Sequence, residues 1–122
     1  MTTIPDAKAH AETWIEAWNS HDLDRIMSHY SDDVVFEAQT AVVRWDKPDG
    51  RLVGKGALRE HFALGLKLAP QLHFALEEVF LAPGGYAILY RRENGNRVID
   101  AVTLDSNGRN AKIVAYYKAA QR

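Results

Sequence analysis

Asp100 is the titratable residue whose setting most calls for chemistry. It interrupts an apolar run, Val98-Ile99-Asp100-Ala101-Val102, and strand alternation puts it on one face with Val98 and Val102. A carboxylate on an apolar face is costly unless it is paired or neutral. Two outcomes follow. Asp100 is protonated, with a raised pKa, and donates a hydrogen bond to a ligand; or it pairs with a cation. Arg91 is the candidate cation, across a turn at Asn94-Gly95-Asn96. A two-residue loop would put Arg91 and Asp100 on the same face, and a one-residue change in loop length would separate them.

His61, beside Phe62, is the second candidate, because neutral imidazole can act as acid or base near neutral pH. A helix-surface or rim position is its plainer reading. His10, His21 and His29 read as surface or turn residues, and His73 opens a strand. No pair of histidines has the i, i+4 spacing with a third ligand that a zinc site uses, so no metal is expected. Gly54-Lys55-Gly56 is too short for a phosphate loop, and no cofactor is expected. Ser20, Ser28, Ser31 and Ser106 lack the context of a nucleophile. The absence of cysteine excludes thiolate catalysis and disulfides.

The elements that must position these residues fit one domain over residues 1–122. Fifteen Lys and Arg against sixteen Asp and Glu leave no basic excess for nucleic acid. No apolar run reaches membrane-spanning length, and the start does not read as a signal peptide, so a cytoplasmic protein is the default expectation.

Ala7, Ala11, Trp14, Ile15 and Trp18 share one helical face, which predicts a helix over 6–19. Asp22 is placed to cap a second helix with Leu23, Ile26, Met27 and Tyr30 on one face, ended by Ser31-Asp32-Asp33. A strand follows at 34–37. Residues 42–45 and 51–53 read as short strands around the turn Lys47-Pro48-Asp49-Gly50. A third helix runs from Gly54-Lys55-Gly56 to Pro70, with Leu58, Phe62, Gly65 and Leu66 as its stripe. Four strand segments, 72–82, 86–93, 97–105 and 109–118, are separated by turn signals and predict an antiparallel meander. Helices grouped before such a sheet indicate α+β packing, with a strongly bent sheet wrapped around the helices and a cavity at one end.

This arrangement resembles the nuclear transport factor 2-like superfamily of cone-shaped α+β folds, in its SnoaL-like and ketosteroid-isomerase-like branch. The resemblance rests on the segments at 14–23, 29–37 and 54–59, and on Asp105-Ser106-Asn107-Gly108 with its following strand. It implies a cavity lined by Trp14, Trp18, Tyr30, Phe36, Leu89, Val98, Ile113 and Tyr117, with His61 and Phe62 at its end. Matched by register, the branch's catalytic tyrosine falls on Trp14, its base on Ala38 and its oxyanion aspartate on Asp100. Ala38 moves no proton and Trp14 has no hydroxyl, which speaks against ketosteroid isomerisation by the family mechanism.

The expected function is therefore a pocket for a small hydrophobic molecule. It is either an isomerase, cyclase or hydrolase using Asp100 as acid/base or oxyanion donor, or a binding or dimerisation module without chemistry. Tyr86, Ile88 and Tyr90 alternate with Leu89 and Arg91, as Val114 and Tyr116 do with Ile113 and Tyr117. The first member of each set is assigned to the outer face, where apolar surface implies a partner. The resemblance makes that partner a second copy, in a twofold homodimer.

Overall fold

The computed structural model describes residues 6–119. The chain runs α1 (Ala7–Asn19), α2 (Leu23–Met27), β1 (Tyr30–Glu37), α3 (Gln39–Trp45), β2 (Arg51–Val53), α4 (Lys55–Leu68), β3 (Phe74–Ala82), β4 (Gly85–Arg92), β5 (Arg97–Leu104) and β6 (Asn110–Tyr117). The strands form one curved sheet in the order β2-β1-β6-β5-β4-β3. All neighbours are antiparallel except β1 and β6, which run parallel. The architecture is the expected α+β cone.

Asp6 caps α1 by accepting from the Ala9 N–H at 2.9 Å, and Asp22 caps α2 by accepting from Arg25 at 3.2 Å. Each such cap stabilises its helix by about 1 kcal/mol. Helix α1 buries Ala7, Ala11, Trp14, Ile15, Ala17 and Trp18 and packs along β3. Helix α4 buries Leu58, His61 and Phe62 and packs against β1 and α2. The core thus lies between these helices and the concave face of the sheet.

Two local readings of the sequence are corrected. Strand β1 begins at Tyr30, so Tyr30 belongs to the sheet and not to α2. Ser31-Asp32-Asp33 therefore lies within β1 and not at a helix end. Residues 42–45 lie in α3, not in a strand. The β-branched pair Val42-Val43 suggests a strand locally, but Ala41 is fully buried while Val43 is exposed. A one-sided helix resting on the cone satisfies that pattern, so packing overrides propensity.

The start of α3 is held by Gly50. Its N–H donates to Lys47 O at 2.8 Å, and its carbonyl accepts from the Ala38 N–H at 3.0 Å. Gly50 has φ +64°, and a Cβ there would stand 2.7 Å from Ala38 O. Gly50→Ala therefore adds left-handed strain and a backbone clash. It is expected to lower unfolding free energy by about 1–3 kcal/mol in urea denaturation. An unchanged midpoint would contradict this account of how α3 is seated.

Candidate functional site

The concave face and the helices enclose a cavity of about 80 Å³. Its wall includes Trp14, Trp18, Tyr30, Phe36, Phe62, Val98 and Tyr117, with Asp100, His61, Arg44 and Arg92 as its acidic and basic side chains. Thr40, Gly65, Leu72, Phe74, Tyr90 and Ala115 complete it. The aromatic rings support one another: Trp14 stacks on Phe74 at 5.8 Å, Trp18 meets Phe62 edge-on at 4.7 Å, and Phe62 meets Phe36 at 5.5 Å. Edge and offset contacts of this kind hold the rings in fixed orientations.

Asp100 sits in the centre of β5, opposite Ile88 on β4 and Ala115 on β6. It is 5% exposed, and among the described residues no basic side chain pairs with it. Its one hydrogen-bond neighbour is the Tyr90 hydroxyl, which donates from 3.4 Å, a long and weak contact. Burial dominates and pushes the Asp100 pKa up to about 7, against a small opposing pull from Tyr90. The Tyr30 hydroxyl accepts from the Trp14 indole N–H at 2.8 Å. The Trp18 indole N–H leans toward the same hydroxyl without reaching bonding geometry. Burial keeps the Tyr30 phenol protonated, and its own hydrogen has no acceptor among the described residues.

Arg91 does not pair with Asp100. The Arg92 N–H donates to Asn96 O at 2.7 Å, the Gly95 N–H donates to Arg92 O at 2.9 Å, and Gly95 has φ +87°. The loop therefore has three residues, with glycine in the left-handed position, in place of two. That single extra residue aligns Ile88 with Asp100 and Arg91 with Arg97. It turns Tyr90 and Arg92 to the inner face and Leu89 and Arg91 to the outer one. Outside, Arg91 and Arg97 both bind Glu77, at 3.1 and 3.0 Å. Leu89 accordingly does not line the cavity. Tyr86, Ile88 and Tyr90, assigned to the outer face from the sequence, are buried inside. Ile113 faces inward opposite Val102, but it is buried in the core away from the cavity.

His61 is not a rim residue: it is 3% exposed. Its Nδ1 accepts from the Trp45 indole N–H at 2.9 Å, and its Nε2 lies 3.1 Å from Thr40 Oγ1. An indole N–H can only donate, so Nδ1 is the acceptor and the imidazole proton sits on Nε2. His61 then donates to Thr40, whose hydroxyl proton is left to point onward, toward the Tyr117 hydroxyl at 3.5 Å or into the cavity. Burial and the nearby Arg44 charge push the His61 pKa down to about 4. The ring is thus a fixed neutral relay near neutral pH, and protonating it would break the Trp45 bond.

Thr40, Arg44, Trp45, Tyr90 and Arg92 were not singled out by the sequence reading. The first three lie on α3, where Thr40 and Arg44 are one helical turn apart. The last two depend on hairpin parity. His10 and His21 are also more than surface residues. The Tyr86 hydroxyl donates to His10 Nδ1 at 2.6 Å, while His10 Nε2 reaches Gly108 O at 3.3 Å. His21 Nε2 donates to Leu72 O at 2.7 Å. The first ties α1 to β4 and the β5–β6 turn, and the second ties the turn after α1 to the segment before β3. Among the described residues no group of His, Asp and Glu is arranged to hold a metal ion, and no helix is long and apolar enough to cross a membrane.

A cone with one curved sheet around a polar-tipped aromatic cavity defines the nuclear transport factor 2-like class. The chain belongs to the SnoaL-like domain family, whose profile matches residues 11–116. It is similar to a SnoaL-like protein of unknown function from Burkholderia thailandensis E264, with 31% identity over 98% of this chain and 100% of that one, at a TM-score of 0.90. A Mycobacterium tuberculosis protein in complex with estradiol-17β-hemisuccinate shares the fold, with 19% identity over 93% of this chain and 94% of that one and a TM-score of 0.69. So does TerC co-crystallised with polyporic acid, with 14% identity over 94% and 92% of the two chains and a TM-score of 0.73. A search of curated proteins gives no significant match.

The buried carboxyl makes stability depend on pH. An acid whose folded pKa is raised from 3.8 to about 7 gives a stabilisation that is full below about pH 4 and lost as pH rises to about 7. His61 acts in the opposite sense, losing stability as pH falls from 6.5 to about 4, and this contribution is common to wild type and Asp100→Asn. The difference between the two proteins isolates Asp100. Wild type is expected to lose up to about 4 kcal/mol relative to Asp100→Asn between pH 4 and pH 8 in denaturant titrations. A pH-independent difference would refute the raised pKa.

Proposed function

We propose that the cavity binds a small, largely apolar carbonyl or enol compound, and that Asp100 and Tyr30 hold its oxygen. The observation that carries this reading is a buried carboxyl in the ligand cavity with which no basic side chain pairs among the described residues. Such a group is tolerated when it is protonated and donating, and a ligand oxygen supplies the acceptor that the protein does not. The Tyr30 hydroxyl, polarised by the Trp14 N–H, adds a second donor. An acid with a pKa of about 7 is also matched to giving and taking a proton near neutral pH. Proton transfer of the isomerase or cyclase kind is the chemistry this supports.

Ala38 is buried and carries no titratable group, so the reading uses Asp100 alone where the family's isomerase mechanism uses a separate base. The structural relatives bound to an estradiol hemisuccinate and to polyporic acid support the ligand class in general terms. At about 80 Å³ the cavity lies below the roughly 300 Å³ at which ordinary small-molecule pockets begin. A one-ring compound, or a larger one that displaces α3, fits that space better than a steroid held in the closed cone.

The test is a melting-temperature and calorimetry screen with cyclohexenone, cyclohexane-1,3-dione and 4-nitrophenol against wild type, Asp100→Asn and Asp100→Leu. Asparagine keeps a donor and leucine does not. Binding is expected to weaken about tenfold or more in Asp100→Leu and much less in Asp100→Asn. Any acceleration of deuterium exchange into cyclohexenone by the protein, over the rate in buffer, should be lost in both. Failure of every compound to bind, or equal affinity in all three proteins, would refute the reading.

We also propose that the convex sheet face pairs two copies. Leu89, Ile99 and Tyr116 lie in one row across β4, β5 and β6 on that face, and Phe80 on β3 stands 50% exposed. Apolar surface on an outer sheet face is the usual mark of a partner. Light scattering at micromolar concentration should give a dimer, and Tyr116→Lys a monomer. A monomeric wild type would remove this proposal and leave the ligand site standing.

A further inference from the structure

Two arginines occupy the cavity mouth without a carboxylate partner inside it. Arg44 from α3 and Arg92 from β4 line the cavity, and both also line the groove outside it, together with Gly65. They therefore stand at the neck between the two spaces. The Arg44 side chain has no hydrogen bond or ion pair among the described residues. Arg92 spends its Nη2 on Glu93 at 3.1 Å, while its Nε is buried with no acceptor. A methyl group on Gly65 would come within 3.3 Å of Arg44 Nη1, so the glycine leaves the room in which this guanidinium lies.

Two guanidiniums so placed repel one another. Burial, with Arg92 adding to it, draws the Arg44 pKa below its ordinary value. Glu93, on the groove side, takes one nitrogen of Arg92, and the cavity wall itself holds no carboxyl besides Asp100. A free guanidinium with fixed fork geometry is suited to bind carboxylate in two places at once.

We propose that Arg44 and Arg92 form a clamp for an organic anion, so that the ligand of this cavity is a small planar acid whose carboxylate lies at the mouth and whose apolar body enters between the aromatic rings. This inference rests on the cavity being the ligand site and adds the charge and orientation of what it takes. The acid end is held outward by the arginines, and a carbonyl or ring edge is directed toward Asp100 and Tyr30. The Thr40 hydroxyl, aimed by His61, stands on the same helix as Arg44, one turn away.

The experiment is calorimetry at pH 6 with two isosteric pairs, benzoate against benzamide and propionate against propionamide. The proteins are wild type, Arg44→Gln, Arg92→Gln, Arg44→Lys and Asp100→Leu, with melting curves to establish that each is folded. Each acid should bind wild type about tenfold or more tightly than its amide. Each glutamine variant should lose most of that preference, with acid affinity falling much further than amide affinity, and Arg44→Lys should keep part of it. Raising the salt concentration should weaken the acids and spare the amides. Equal affinity for acid and amide, failure of both acids to bind at millimolar concentration, or unchanged benzoate binding in both glutamine variants would overturn the clamp. Amides that bind wild type and weaken in Asp100→Leu, with no preference for the acids, would retain the ligand site and reject the clamp alone.

Discussion

The structure turns on a carboxyl group buried in an aromatic cone and paired with no cation among the described residues. Ionised Asp100 in that place would cost several kcal/mol, which is a large share of the stability of a domain this size. The protein meets the constraint by raising the pKa, so that the proton is held up to about neutral pH, with Tyr90 as a distant donor and the cavity open on the other side. That solution leaves an acid whose hydrogen-bonding capacity the fold itself does not use. The aromatic packing that raises its pKa is the same packing that shapes the cavity. Stability is given up at the position where a ligand can restore it, which is the usual relation between strained sites and function.

The polar groups divide into two sets by the elements that carry them. Asp100, Tyr30 and Tyr90 are buried on the sheet and the adjoining strand, where each hydroxyl or carboxyl is held by rigid elements. Thr40, Arg44 and His61 come from the helices near the mouth, and Arg92 from the end of β4. Arg44 and Arg92 carry the charge of the second set, while Thr40 and the neutral His61 do not. The relay from Trp45 through His61 to Thr40 has a single hydrogen-bond direction, because an indole can only donate. A neutral, fixed imidazole serves that relay better than a titrating one.

Much of the fold was legible in the sequence because its signals were local. The stripe of Trp14, Ile15 and Trp18 marks a helix, and the Asn-Gly turns mark a meander. Asp100 stood out because one charge interrupts an apolar strand. What was not legible depends on a count of one. The Asn94-Gly95 signal fits a two-residue turn or a three-residue loop with a left-handed glycine, and the choice reverses the facing of the whole strand. Both phases of β4 carry large apolar residues, so alternation could not decide between Leu89 and Tyr90. Helix α3 was hidden for a different reason. Val42-Val43 favours a strand locally, and the burial of Ala41 and the seat made by Gly50 are visible only in three dimensions. The mouth of the cavity, with Thr40 and Arg44, was lost with it.

The protonation of Asp100 in the folded protein is the claim on which the site depends. Carbon-13 NMR of the Asp100 side-chain carboxyl, assigned by its loss in Asp100→Asn, measures it directly across pH 3 to 9. The account predicts a midpoint near 7, well above the 3.8 of an ordinary aspartate. A midpoint at or below 4 would mean that the carboxylate is ionised and compensated in the folded state, and it would contradict the account.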